Sequence, residues 1–510
     1  MTPAPSRLGR HFRHILLGCA LTAILLVSYS HDFGGAPLIN EIGLEAFLEQ
    51  QQTLLDAAGT IKHQPYTVPA QFGPGTRAAM SSKLFPELVL GHVFHPLPLN
   101  KSALVTRPGD PPAVKMNGEA FNPAIMKMPC GVKEGWEYIV VARGPRVERR
   151  DIWVPEAERY AEEHGLVAFP AALTNNGFIP SGASPPRFLA ITTSRNNTSC
   201  GHWTFPFGPE DPRLYWTDDH RPAMSMSMNA GDRSRCRSVG YVEDLRDVWE
   251  ELGDAMSGMD EDVAKRWERK ESGEWQGVKE LRHQFMPNIE KNWMGFFPGS
   301  SQDAHQTVPT FHHSLVPARI LHRPTHATIH AEDASILFYT LVEPRHSRVS
   351  CVAEKLRTDV PNPGHIHHAT PLYRLTLCAR GARRCVPDAE NTVMIGVGQV
   401  KVVHPMGQRY QRFFVLWNVT EPFEYLAVGP LFRWHDTPDA DIVYAMSLVF
   451  VPAPDPNPYI AGIRHKRERT YGPTHGFIDD EVFVTLGLRD NEMATVKLSA
   501  AEMLYGMSVC

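Results

Sequence analysis

The chain has 510 residues, 43% of them hydrophobic and 21% charged, which excludes wholesale disorder and allows a large core or several domains. A formal net charge of −5 leaves no electrostatic footprint for nucleic acid, so no nucleic-acid partner is expected. With 43 Pro and 38 Gly, turns are frequent, which suits a β-rich chain better than a helical bundle.

The N-terminus carries an address. Arg7, Arg10 and Arg13 precede an uncharged run from Ile15 to Tyr29, closed by His31 and Asp32. That run is shorter than the roughly 20 residues a bilayer core needs, so two readings compete. One is a cleaved signal peptide, with small Ser28 and Ser30 near its end. The other is an uncleaved anchor with its arginines on the cytosolic side, and thin early-secretory membranes tolerate such short spans. The anchor is the reading adopted. It gives a cytosolic tail over 1–14, a transmembrane signal-anchor over 15–30, a stem over 31–83 and a lumenal catalytic part over 84–510, in a Golgi or other secretory-pathway membrane. Sequons at Asn100, Asn196, Asn197 and Asn418 agree with that route. Cys378 and Cys385 enclose a basic loop that a disulfide would close, and Cys200 with Cys236 is a second candidate pair. The pairing of Cys130, Cys351 and Cys510 stays open.

From Pro37 to about His63 the apolar spacing predicts an amphipathic helix, either a stem or a helix packed on the main domain. From Leu84 onward short apolar runs alternate with turn residues. Strands are predicted at 88–94, 137–143, 187–192, 213–216, 318–322, 335–342, 374–378, 392–403, 412–419, 424–434, 441–450, 481–488 and 494–498. The alternating helices of a parallel α/β enzyme are missing, so the fold class is all-β. A closed propeller would solve the edge problem of so many strands. The charged segment from Val242 to about Gln284 reads as a helical insertion with a solvated face, and Ser499 to Tyr505 as a short capped helix.

Chemistry-bearing groups lie next to several strand-like runs. In Phe207-Gly208-Pro209-Glu210-Asp211-Pro212-Arg213, two prolines bracket an acidic pair, which predicts a stiff turn holding a carboxylate in one orientation. Arg213 is placed to keep Asp211 ionised or to meet a phosphate. Asn122-Pro123-Ala124, the Ala142-Arg143 strand, Glu290-Lys291-Asn292-Trp293, His368-Ala369-Thr370-Pro371-Leu372 and Leu486-Gly487-Leu488-Arg489-Asp490 complete the set. Each alone has a bland reading: with 24 histidines, for instance, most serve as ordinary hydrogen-bonders.

In this order the motifs resemble the fungal β-mannosyltransferases over roughly Leu84 to Leu504. These are similar in turn to the inverting β-mannoside phosphorylases. The resemblance implies a five-bladed β-propeller and an inverting transfer of mannose from GDP-mannose to a mannan or mannoside acceptor, in β and specifically β-1,2 linkage. It implies Asp211 as the base that takes the acceptor proton, directly or through a sugar hydroxyl. Arg143, Arg213, Lys291 and His368 fall on the phosphate side, and Glu210 beside them in the donor site. Asn122, Asn292 and Asp490 fall on sugar hydroxyls. The 242–284 segment is not part of the pattern. No cofactor is implied: the Asp260/Asp262 and Asp439/Asp441 pairs have metal-binding spacing, but an Mn2+ site finds no further support in the sequence. Two alternatives are a β-mannoside phosphorylase or hydrolase on the same fold and a non-catalytic glycan-binding lumenal propeller.

Overall fold

A computed structural model describes residues 41–64, 88–99, 104, 116–117, 119–154, 159–175, 177–191, 206–217, 221–230, 236–257, 278–281, 293–297, 310–314, 320–324, 336–337, 339–342, 350–357, 366–404, 407–420, 423–435, 442–453 and 458–510. The apolar run at 15–30 lies outside them. Among the described residues no helix is long and apolar enough to cross a membrane.

The fold is all-β with few helices. Five larger sheets follow one another along the chain. The first is built on Phe121–Lys127, Tyr138–Val154 and Arg159–Thr174, the second on Pro206–Trp216, Pro222–Ala230, Cys236–Val242 and Val278–Leu281. The third holds Met294–Phe296, Thr310–Ser314, Ile320–Pro324 and Tyr339–Val342. The fourth pairs Ile366–His368 and Tyr373–Thr376 with Thr392–His404, followed by Gly407–Asn418 and Tyr425–Val428. The fifth holds Val443–Val451, Glu481–Leu488 and Glu492–Ser499. Its fourth strand, Val93–Pro96, comes from far upstream and pairs Val93 with Lys497 and Pro96 with Ala494.

Side chains between the sheets explain the order. Ala124 and Ile139 of the first sheet pack on Leu214 and Met224 of the second. Tyr215 and Tyr241 meet Trp293 and Phe311 of the third, and Phe296 meets Phe413 and Trp417 of the fourth. Ile395 and Leu416 of the fourth pack on Ala445 and Val484 of the fifth, and Val449 and Phe483 return to Ile125 and Val140 of the first. The cores therefore run round in chain order and come back to the start. Val443–Val451 is buried on both faces for this reason, and its sequence is correspondingly a near-continuous apolar run.

Each predicted strand window overlaps an observed strand, and the Cys378–Cys385 disulfide is present. A second disulfide joins Cys351 to Cys510, while Cys200 lies outside the described residues. Three readings change. The helix Glu41–Ala58 is not a free stem: Leu44 and Leu48 are buried in the core shared by the fourth and fifth sheets, and Tyr505 Oη donates to Asp56 Oδ1 at 2.8 Å. The described ends of the 242–284 segment belong to the body. Leu252, Ala255 and Met256 of the helix Glu250–Met256 are core, and Val278–Leu281 is a strand of the second sheet. The acidic stretch is not a turn before a strand, because Pro206–Trp216 is one strand with a bulge in it.

Candidate active site

That bulge is the centre of the site. Opposite Ser225 and Ser227 of the neighbouring strand stand Arg213 and Glu210, so Asp211 and Pro212 face a single residue, and Asp211 takes φ 51°. A residue before proline is pushed out of the right-handed helical region, and Asp is among the few side chains that tolerate the left-handed one. The same device recurs in the first sheet. Between Phe121 and Ala124 the register slips in the same way, and Asn122, again followed by proline, also has φ 51°. Bulges turn side chains away from the strand's regular alternation, and these two turn toward each other. Asn122 Nδ2 donates to Asp211 Oδ1 at 2.6 Å. The Phe121–Lys127, Pro206–Trp216 and Val443–Val451 strands are all in contact with one another.

Charges gather around the pair. Arg143, opposite Phe121 in register and with its guanidinium 4.8 Å from that ring, forms an ion pair with Glu210, which is 4% exposed. Asp490 sits in the turn after Glu481–Leu488, where Arg489 and Asp490 both have positive φ. Partial burial raises its pKa, Arg143 opposes that and the like charge of Asp211 adds to it. Asn122, Arg143, Glu210, Asp211 and Asp490, separated by up to hundreds of residues in sequence, thus form one polar centre.

The remaining expectations divide. Arg213 is buried and does not pair with the Asp211 carboxylate. Its Nη1 donates to the main-chain oxygens of Asp211 and Pro212 at 3.0 Å each, and its Nε to Ala369 O at 2.8 Å. It braces the bulge, and so binds the fourth sheet to the second. His368 is 1% exposed and stacks on Trp417 at 5.5 Å, inside the core between the third and fourth sheets. Strand alternation sends its neighbour to the other face: His367 stacks on Tyr444 at 6.1 Å, and the Tyr444 ring lies 5.5 Å from the Arg213 guanidinium. Lys291 and Asn292 lie outside the described residues. Trp293, next to them, lines a cleft with Asp211, Arg213, Ser225, Ser227 and Met294. His367, Tyr444 and Ser225 escape sequence reasoning because the phase of the alternation through irregular strands is not visible locally. Gly487 is a further participant: its bare Cα accommodates the Asn122 amide, where a Cβ would collide with Oδ1 and lie 2.8 Å from Cγ.

The arrangement can hold one carboxylate in a fixed direction at a cleft, ringed by hydrogen-bonding and charged groups. Among the described residues no group of three or more His, Cys, Asp or Glu could hold a metal ion; the Asp260/Asp262 and Asp439/Asp441 pairs lie outside them.

No family model matches the chain, and no curated protein matches its sequence. Similar solved structures do exist. A mannose phosphorylase from Leishmania mexicana, in complex with phosphate ion, is 10% identical with a TM-score of 0.34, over 86% of this chain and 95% of that one. A GDP-Man-dependent mannosyltransferase from Leishmania mexicana is 9% identical with a TM-score of 0.32, over 75% and 86%. The catalytic domain of an α-L-arabinofuranosidase from Coprinopsis cinerea is 7% identical with a TM-score of 0.31, over 80% and 97%. Likenesses this distant carry no argument about function. The case rests on the residues at the bulge.

Proposed function

We propose that this chain is an inverting β-mannosyltransferase on a five-bladed β-propeller, using GDP-mannose as donor and a mannoside or mannan as acceptor. The observation that carries it is the Asn122–Asp211 hydrogen bond, which unites the first and second of the resembling motifs at a cleft, beside the last of them at Asp490. Five sheets in chain order, the last completed by an upstream strand, support the propeller.

In this reading Asp211 accepts the proton of the acceptor hydroxyl as its oxygen attacks the anomeric carbon. The bond to the α-phosphate breaks on the opposite face, inverting the centre, and the diphosphate departs with the bonding pair. Asn122 aims the carboxylate, Asp490 is assigned to a sugar hydroxyl and Arg143 to the phosphate side. A single base suffices, because no water has to be activated, unlike the paired acids of an inverting hydrolase. An N-terminal anchor in a secretory membrane, with 84–510 on the lumenal side, is the cellular setting proposed.

Incubating the protein with GDP-mannose and an α-mannoside tests it. The expected result is a β-linked product, lost about 10²- to 10⁴-fold in Asp211→Asn while nucleotide binding persists. Release of mannose 1-phosphate from a β-mannoside on adding phosphate would instead make it a phosphorylase. An active Asp211→Asn would remove Asp211 as the base.

A further inference from the structure

The fourth sheet carries a second polar group that the Asp211 centre does not use. His367 pairs in register with Gln399, and Gln399 with Arg412, so the three side chains rise from one face of the sheet. Gln399 is fully buried, and neither its Nε2 nor its Oε1 has a hydrogen-bond partner. Arg412 is 6% exposed; its Nη2 donates to Val443 O, and its Nε has no partner. Burial pushes the Arg412 pKa down to about 9, with no carboxylate acting on it to offset the loss of water.

Three rings adjoin this pair in register or on the same strand face, or touch those that do. His367 and Tyr410 lie 5.8 Å apart, Tyr410 and Tyr444 5.5 Å apart, and His367 and Tyr444 stack at 6.1 Å. His367 and Tyr410 are half-buried, which carries the group outward. Tyr444 carries it inward, since its other neighbour is Arg213, the brace of the Asp211 bulge.

Buried guanidinium groups are ordinarily paired with an anion, and buried amides ordinarily hydrogen-bonded. A water molecule would satisfy Gln399 but leave the charge of Arg412 uncompensated. A guest that brings negative charge and several acceptor oxygens serves Arg412 and Gln399 Nε2 together, and a hydroxyl beside the charge serves Gln399 Oε1. We infer that Gln399 and Arg412 form a binding site for a phosphate-class oxyanion, walled by His367, Tyr410 and Tyr444. Its use for the phosphate side of a sugar donor rests on the mannosyl-transfer reading; the binding itself does not.

The test titrates the full-length protein with inorganic phosphate and, separately, with GDP, at constant ionic strength, following calorimetric affinity and Tm. Binding of either ligand is expected, weakened about 10- to 100-fold in Arg412→Met and in Gln399→Leu. Unliganded Arg412→Met should melt no lower than the parent, because it removes an unpaired buried charge. If Arg412→Met does not fold, the uncharged swap Gln399→Leu decides. GDP binding alone identifies a nucleotide diphosphate as the ligand, and binding of phosphate identifies the free ion. Parental affinity in the variants, or no binding of either ligand, overturns the site. A parent protein that binds the oxyanion but transfers no mannose would sink the proposed function and leave this site standing.

Discussion

Asn122 and Asp211 are built alike and meet: each precedes a proline, each sits in a bulge with φ 51°, and the amide of one holds the carboxylate of the other at 2.6 Å. Asn122→Gly separates the two duties of this asparagine. Glycine takes the left-handed conformation without steric penalty, so stability should change by less than about 1 kcal/mol. The carboxylate loses its guide, so kcat should fall about tenfold or more with little change in KM. Asn122→Ala should lose activity similarly and also lose about 1–2 kcal/mol of stability, because alanine lacks the short polar side chain that lets asparagine adopt that backbone. Equal kcat in Asn122→Gly and the parent would show that the bond is structural only.

Gly487 is the other support of the pair. A methyl group there would collide with Asn122 Oδ1 and lie 3.0 Å from the Asn122 backbone nitrogen, in the crowded join between the first and fifth sheets. Gly487→Ala should therefore destabilise the fold by about 1–3 kcal/mol and reduce transfer together with it. Combining it with Asn122→Gly removes the colliding side chain, so the double variant should be more stable than the two single losses sum to. Chemical denaturation of the four proteins measures the coupling, and strict additivity would remove Gly487 from the site.

Asp490 gives a pH signature. Burial raises its carboxyl above the ordinary 3.8, Arg143 opposes and Asp211 adds to the rise, so the folded state binds this proton more tightly than the unfolded one. The contribution to stability is complete below pH 3.8 and declines as pH climbs through the folded pKa. Asp490→Asn cannot lose a proton, so its stability relative to the parent should be higher at pH 7 than at pH 3.5. Melting curves at the two pH values check this, and a pH-independent difference would refute it.

What the sequence made legible is tied to local signals. Proline follows a polar residue at both bulges, and the acidic pair drew attention to Asp211, although the stretch read as a turn rather than as a bulged strand. These signals survive because a bulge is set by its own few residues. The phase of the fourth sheet was not legible: His368 attracted attention, yet it is His367 that lies on the face toward Tyr444. Gln399 and Arg412 were hidden inside strands that read correctly as strands. That the Gln399 amide and Arg412 Nε lack partners depends on what the rest of the sheet and the fifth sheet supply, which no window of sequence contains. The pairing of Val93–Pro96 with Glu492–Ser499 is hidden for a related reason, since both read as ordinary short strands and only the fold brings them together. In the 242–284 stretch the charged run itself lies outside the described residues, and what is described on either side of it is a core helix and a strand of the second sheet.

The two disulfides constrain very different amounts of chain. Cys378 and Cys385 are 7 residues apart, whereas Cys351 and Cys510 are 159 apart and join the helix Ser350–Arg357 to the C-terminus beside the fourth sheet. On the chain-entropy argument, opening the short loop forfeits about 2.4 kcal/mol and opening the long one about 5 kcal/mol. The long link also holds Cys351 and Val352 against Trp417 and Phe423, the core that receives His368, so its loss should loosen the fourth sheet first. Cys351→Ser with Cys510→Ser should therefore lower the denaturation midpoint clearly more than Cys378→Ser with Cys385→Ser. Hydrogen exchange should localise the early opening to 366–368 and 413–428. If both pairs cost the same, or exchange rises elsewhere first, the long disulfide is not what fastens the C-terminus to the body.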